Sequence, residues 1–262
     1  MEFQYTTLVA TAILPLVLGF LLEKLSPAKH CPFRAVAFNL FCLVPFTVLR
    51  AVATALVMGV TVLLTNRLGG GIIHLPADGY FFIPAVVIYT VMMDLVEYLF
   101  HRAQHRIPVM WAMHSFHHSD ESLNVSTTFR HFWAEQAIKA CTIYLLIGLL
   151  FRTDAEIIAI YGAISLMNYF FHLNVCVGLG RAWFLMNSPQ YHRVHHSSLA
   201  MHHGKNFAAL FPVFDVIFGT AYRPQAHEYP PSGLHEHDSP RSVFEATIWP
   251  LRRLLRTDLQ TS

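Results

Sequence analysis

Apolar positions along this chain fall into long unbroken blocks. They show neither the alternation of a half-buried strand nor the narrow stripe of a surface helix. Residues 5–22 (Tyr5 to Leu22) carry no charge and are long enough to cross ~30 Å of hydrocarbon as a helix. A second block covers 36–65, interrupted by Pro45 and Arg50, and a third covers 81–100, with Asp94 and Glu97 towards its end. Two more, 137–151 and 155–176, are separated only by Arg152, Thr153 and Asp154 and read as a tight helical hairpin. The 36–65 block predicts one long tilted helix, kinked near Pro45 with Arg50 packed against protein, in preference to a re-entrant hairpin. From 223 onward the chain is polar and Pro-rich, and it reaches Leu251-Arg-Arg-Leu-Leu-Arg256 as a surface segment with its Arg side chains near lipid headgroups.

Composition agrees with this reading. Charged residues make up 13% of the chain against ~25% in an ordinary soluble domain, hydrophobic residues make up 54%, and mean hydropathy is +0.43. That excludes intrinsic disorder and disfavours a soluble globule. Glu2 at the start and Glu23-Lys24 after the first block do not fit a cleaved signal peptide, so retention of this span is expected. Lys24, Lys29 and Arg34 fall in the first loop and Arg102, Arg106 and Arg130 after the third block, with only Arg67 between the second and third. Under the positive-inside rule, five crossings put residues 101–135 and 177–262 on the cytoplasmic side. A net charge of +2 without a basic stripe excludes nucleic acid as a partner. Cys31, Cys42, Cys141 and Cys176 form no CxxC pair and read as reduced thiols. The C-terminal Thr257–Ser262 carries no KDEL-type signal, which favours a bacterial inner membrane over the endoplasmic reticulum.

The chemistry lies in the histidines, of which this apolar chain has 17. His101 and His105, at i and i+4, share one helix face at the end of the third block. His114-Ser-Phe-His117-His118 and His192-Arg-Val-His195-His196 repeat the pattern HxxHH, expected by chance about 0.07 times in a chain of this histidine content. In each, the first and last histidines share a face, while the middle one is rotated by ~100°, so an adjacent pair can address two metals. All-nitrogen ligation suits iron, copper, nickel or zinc, and the absence of thiolates argues against structural zinc. No HExxH occurs, and the doublets do not match a bis-histidine haem.

Several spaced motifs together resemble the fatty acid hydroxylase / sterol desaturase superfamily. They are Asp94-Leu-Val-Glu-Tyr98-Leu-Phe-His101-Arg-Ala-Gln-His105, Trp111-Ala-Met-His114-Ser-Phe-His117-His118-Ser119, Asn124-Val-Ser-Thr-Thr-Phe-Arg130, Phe171-His172-Leu-Asn174, His192-Arg-Val-His195-His196-Ser197 and Asp215-Val-Ile-Phe218-Gly219-Thr220. The resemblance covers roughly residues 30–222. It implies an all-α integral membrane helical bundle whose cytoplasmic, His-rich helical cap holds a dimetal site. The implied activity is that of a non-haem di-iron oxygenase that uses O2 to hydroxylate or desaturate a membrane lipid, whether a sterol or isoprenoid, a fatty acyl chain or a polar lipid. Carried over by position, the ligands are His101, His105, His114, His117, His118, His192, His195 and His196, with His172 as an additional one. Asn168, one turn before His172, becomes a weaker ligand or supporting candidate. Asp94 is the preferred carboxylate for orienting a ligand, and Arg130, His131, His203 and Asn206 are further supporting candidates. The family often has Asp-x-Asn-Tyr-Gly after the last histidine box. Here the stretch is Gly204-Lys-Asn206-Phe-Ala208, so a supporting carboxylate is expected to be missing.

Three regions follow: 1–30 as an N-terminal span and loop, 31–222 as the catalytic domain, and 223–262 as a polar cytoplasmic tail. No GxGxxG, CxxC or CxxCH motif occurs, so electrons must come from an external ferredoxin, cytochrome or reductase. A dry apolar channel from the bilayer is expected to bring in the substrate. A metal transporter or sensor, or a zinc-dependent lipid hydrolase on the same scaffold, are the rival readings.

Overall fold

A computed structural model describes residues 2–255, with side chains from residue 13 onward. The closing segment Thr257–Ser262 and the side chains at the start of the first apolar block therefore lie outside the described residues. Helices α1 (Glu2–Leu25), α2 (Phe33–Arg67) and α3 (Phe82–Arg106) correspond to the first three blocks. The interval 36–65 lies within one continuous helix that contains Pro45. At 1.5 Å per residue α2 is ~52 Å long, more than a bilayer core requires.

Among the described residues, Phe33–Arg67 and Gly79–Arg106 are long and apolar enough to cross a membrane. Only 11% of the most apolar stretch of the first is buried inside the protein, so it is not the core helix of a soluble globule. Phe41, Val44, Val52 and Leu56 stand exposed along it. Each such side chain in water forgoes ~1.5–3 kcal/mol of burial, a loss that a lipid environment removes.

The predicted hairpin is present but its arms are shorter than the apolar runs. The first arm combines α5 (Glu135–Lys139), a π-helical turn (Ala140–Tyr144) and α6 (Leu145–Leu150). The second joins α7 (Ala155–Ser165) to α8 (Met167–Phe171) and stops at His172, where the chain turns into the site instead of running on to 176. Each arm is ~24–26 Å long, below the ~30 Å of a full crossing. Between the arms, β2 (Phe151–Thr153) pairs in parallel with β1 (Ile73–Leu75), Ile73 opposite Phe151 and Leu75 opposite Thr153. This small clasp ties the hairpin turn to the loop preceding α3. From the start of α3 at Phe82, His101 and His105 lie ~28 and ~35 Å along the helix axis.

Buried apolar contacts join these elements. Ala85, Tyr89, Met93 and Phe100 of α3 pack on Ile143, Ile147 and Ile157 of the hairpin. α1 closes on the cap at Gly19, where a Cβ would lie 2.5 Å from Val125 Cγ2, so only glycine permits this approach. One turn on, the Glu23 carboxylate accepts the backbone N–H groups of Val125 and Asn174 at 2.7 and 2.8 Å.

The cap begins with α4 (Pro108–His118), started by Pro108 at its first position after the extended Ile107. It continues through α9 (Pro189–His195), α10 (Val213–Ile217) and α11 (Val243–Leu254). Residues after 223, read from the sequence as a tail, are built into this cap. Trp249 is fully buried against α4 and its indole N–H donates to Ser115 Oγ at 3.0 Å. Arg253, expected near headgroups, is buried and paired with Glu236.

Candidate metal centre

Three short helices and one helix end bring the histidines together. α3 supplies His101 and His105 from its last turn, and α4 turns straight back to supply His114, His117 and His118. α9 is started by the Ser188 hydroxyl, which accepts the Tyr191 N–H, and by Pro189 at its first position; it supplies His192 and His195, with His196 at its end. His172 sits where α8 ends.

The nine imidazoles form two adjoining groups. His101, His105, His114, His118 and His195 are one; His117, His172, His192 and His196 are the other; within each, one ligand atom per residue lies within 4.8 Å of all the rest. Both doublets divide as helix geometry requires: His118 and His195 enter the first group, His117 and His196 the second. The groups meet at the His118 and His196 rings, stacked with centroids 4.3 Å apart.

Hydrogen bonds on the outer side of the rings fix which nitrogens face inward. His101 Nδ1 lies 2.8 Å from the Phe207 carbonyl, His195 Nδ1 2.9 Å from the Lys205 carbonyl, and His172 Nδ1 2.8 Å from the Asn168 carbonyl. A carbonyl only accepts, so each Nδ1 carries the proton and each Nε2 a lone pair. His114 Nδ1 donates likewise to Glu135 Oε2 at 3.1 Å. The Nε2 atoms of His101 and His114 then face each other at 3.1 Å. In the second group, His172 Nε2 lies 3.2 Å from His117 Nε2 and 3.1 Å from His192 Nε2. Between His101 and His114, whose outer nitrogens both carry the proton, lone pairs this close repel unless a cation lies among them. Two nitrogens bound at right angles to one ion at ~2.1 Å would themselves be ~3 Å apart. Buried ring nitrogens without a hydrogen-bond partner, among them His118 Nε2 and His195 Nε2, complete the match. The donor set fits metal ions.

Burial favours the same protonation state. It lowers the pKa of His114, His117, His118, His192 and His196, brings His172 down to about 4 and His195 down to about 3, and neighbouring imidazoles add to most of these shifts. At neutral pH these rings are uncharged, as metal ligation requires.

Glu135 is the residue that sequence reasoning missed. Its carboxylate accepts from Gln104 Nε2 at 2.8 Å, His114 Nδ1 at 3.1 Å, His131 Nδ1 at 3.5 Å and the Phe132 N–H at 2.9 Å. Burial alone would raise its pKa; the hydrogen bonds from His114 and His131 outweigh that and hold it well below the usual carboxylate range. With His114 and His131 it forms a third possible ligand group. Its sequence signal is an acid at the edge of an apolar block, four residues after His131.

The other supporting candidates occupy different places. Asp94 touches no histidine: its two oxygens accept the N–H groups of Leu210 and Phe211 at 2.8 Å each and hold the loop whose Phe207 carbonyl anchors His101. Asn168 contributes its backbone carbonyl to His172. Arg130 binds the end of α4 through the Phe116 carbonyl and Ser119 Oγ, and reaches Asn39 of α2. His131 stacks on His117 with centroids 4.1 Å apart. His203 lines a small cavity beside His105, His118 and His195. Asn206, at φ 59°, binds the Tyr191 and Tyr222 carbonyls and shapes the loop after α9. That loop does not lack a carboxylate: Asp215 accepts from the Phe207 and Ala208 N–H groups, Thr220 Oγ1 and the Tyr191 hydroxyl.

Residues 86–220, which contain all nine histidines, match the fatty acid hydroxylase family. The chain belongs to that family. Its relatives in the fatty acid hydroxylase family include alkylglycerol monooxygenase of Homo sapiens, 33% identical over 129 residues, which are 48% of this chain and 28% of that protein. The Danio rerio alkylglycerol monooxygenase is 32% identical over 157 residues, 60% of this chain and 33% of its own length. The very-long-chain aldehyde decarbonylase CER1 of Arabidopsis thaliana is 30% identical over 148 residues, 52% of this chain and 23% of that protein. The matches thus span a third or less of these relatives' lengths. No solved structure matches the chain.

A cavity of about 350 Å³ borders both histidine groups, reached by His101 and His114 of the first and by His117, His172 and His192 of the second. Its wall mixes apolar and polar side chains. Phe132, Phe171 and Leu210 contribute to a mainly apolar wall, into which Arg50, Glu97, Gln104, Glu135, Lys139 and Asn168 bring polar groups. α2, α3 and the hairpin arms bring these polar side chains to one cavity, where the sequence shows them only as isolated interruptions.

Proposed function

We propose that the two histidine groups each hold an iron ion and that the protein hydroxylates a membrane lipid at the cytoplasmic face. The facing Nε2 atoms at 3.1–3.2 Å, with the outer nitrogens of His101, His114 and His172 engaged in hydrogen bonds, are the observation that carries this reading. The family and the monooxygenase relatives support the reaction class, and the distribution of Lys and Arg supports the side. When bound, the iron pair supplies the redox chemistry that activates O2. Overall, a C–H bond, O2, two electrons and two protons yield an alcohol and water. An external ferredoxin, cytochrome or reductase provides the electrons.

The chain's own residues supply the setting. Neutral imidazoles hold the ions, while Glu135 and the carbonyls of Phe207, Lys205 and Asn168 keep the rings oriented. Asp94 and Asp215 hold the 207–211 loop against α3. Walls from α2, α3 and the hairpin keep the reacting C–H bond out of bulk water.

The test is metal content together with incorporation of labelled oxygen, using purified full-length protein, lipid extract and a reductant. About two iron ions per chain and one labelled oxygen atom per product are expected, and His117→Ala or His195→Ala should lower the iron and abolish incorporation. Product formation without O2, or full activity in both variants, would refute the reading.

A further inference from the structure

Arg50 is the only charged residue between Arg34 and Arg67, midway along a helix whose exposed face is apolar. An ionisable group inside a span is costly unless something answers its charge. Arg50 lines the cavity that borders both histidine groups, yet its hydrogen bond is to Thr47 Oγ1, 3.3 Å away on the same helix, and no carboxylate lies within ion-pairing distance among the described residues. The other charged side chains in that wall have partners. Lys139 pairs with Glu97 at 2.5 Å, and Glu135 is engaged by Gln104, His114 and Phe132.

Two further observations point into the same space. Thr128 Oγ1 is buried without a partner, and Thr128 lines the cavity. Asn168 lines it too, with only its backbone carbonyl engaged by His172. α2 and α8 both pack on the turn Val125–Phe129 that carries Thr128, so the three side chains come from adjoining elements.

We propose that Arg50, with Thr128 and Asn168, recognises an anionic headgroup of the lipid substrate, a phosphate or a carboxylate, and that the oxidised carbon lies close to that headgroup. The guanidinium offers the planar fork that binds two oxygens of one anion, the Thr hydroxyl and Asn amide offer further donors, and the anion supplies the missing counter-charge. A cavity of about 350 Å³ is small for a ligand site and holds a headgroup with its nearest carbons. A long tail must leave it for the lipid around the spans. The position of oxidation rests on the reading of the histidine groups as the oxidising centre; headgroup binding does not.

The decisive experiment measures binding to iron-loaded, full-length protein in phosphatidylcholine nanodiscs, by displacement of a fluorescent lipid. Three competitors of equal chain length are compared: a lysophosphatidate, a free fatty acid and a neutral monoacylglycerol. The wild type should bind one anionic lipid about tenfold to a hundredfold more tightly than the neutral one, and the preferred anion identifies phosphate or carboxylate. Arg50→Gln should abolish the preference, Arg50→Lys should keep part of it, and Thr128→Val should weaken anion binding by a smaller factor. Absence of a preference in the wild type, or its survival in folded Arg50→Gln, overturns the proposal; if that variant does not fold, the wild-type comparison decides alone. A protein that keeps the anion preference but never consumes O2 sinks the oxygenase reading and leaves this one standing.

Discussion

The two histidine groups contain similar numbers of rings but are held in different ways. In the group built on His101, three rings have outer anchors: the carbonyls of Phe207 and Lys205 and the Glu135 carboxylate. In the group built on His172, the one outer hydrogen bond found among the described residues is to the Asn168 carbonyl, while His117 leans on the stacked His131 ring. The first group is therefore preorganised by the protein. The second depends more on contacts among its own rings and on the ion it holds, so the two sites should differ in metal affinity although their donor atoms are alike.

Glu135→Gln tests this contrast most strongly. It keeps the side-chain volume but removes the charge that anchors His114, and iron affinity of the first group or turnover should fall by about tenfold to a hundredfold. Asn168→Ala leaves the backbone carbonyl in place and should not alter iron content. Iron per chain, measured by mass spectrometry, checks both; equal iron loss in the two variants would erase the distinction.

Acidification probes the same difference less severely. The folded pKa values of His172 and His195, about 4 and about 3, lie below the ordinary ~6.5 of an unfolded chain, so the unfolded state binds more protons in that window. Stability of the metal-free protein should be full above pH ~6.5 and fall as the pH drops, the His172 contribution running out near pH 4 and that of His195 near pH 3. Denaturant titrations across this range would show it. A melting profile flat from pH 7 to 4 would contradict the burial of neutral rings.

The smallest effect should fall on both groups equally. Trp249→Phe removes one hydrogen bond to α4, the helix that supplies rings to each group, and should cost ~0.5–1.5 kcal/mol with no change in the ratio of iron lost from the two sites. A selective loss from one site would show that α4 is not shared rigidly.

Much of this arrangement was legible in the residues. Spacing of i and i+4, and the rotation between adjacent histidines, is local helix geometry, so the sorting of His117 from His118 and of His195 from His196 follows from the sequence. The charge-free blocks likewise marked α2 and α3. The role of Glu135 and the polar groups in the cavity wall were not legible, because they depend on which faces of α2, α3 and the hairpin meet, and no local pattern encodes that. Asp94 shows the opposite error: a buried acid near histidines was read as a ring anchor, but it holds two backbone N–H groups of a loop 116 residues away. The five-crossing count also treated apolar length as span length, whereas the second hairpin arm stops at His172 because that residue is drawn into the cap.

The docking of α11 onto α4 has a consequence for biosynthesis. Ser115 and Trp249 are 134 residues apart, so α4 emerges from the ribosome long before the helix that covers it. Its three histidines cannot settle between their final neighbours until α9 and then α11 have been made. If the groups hold metal as proposed, its acquisition waits on late synthesis, and a nascent chain stalled before residue 249 would present its imidazoles on an incompletely covered helix.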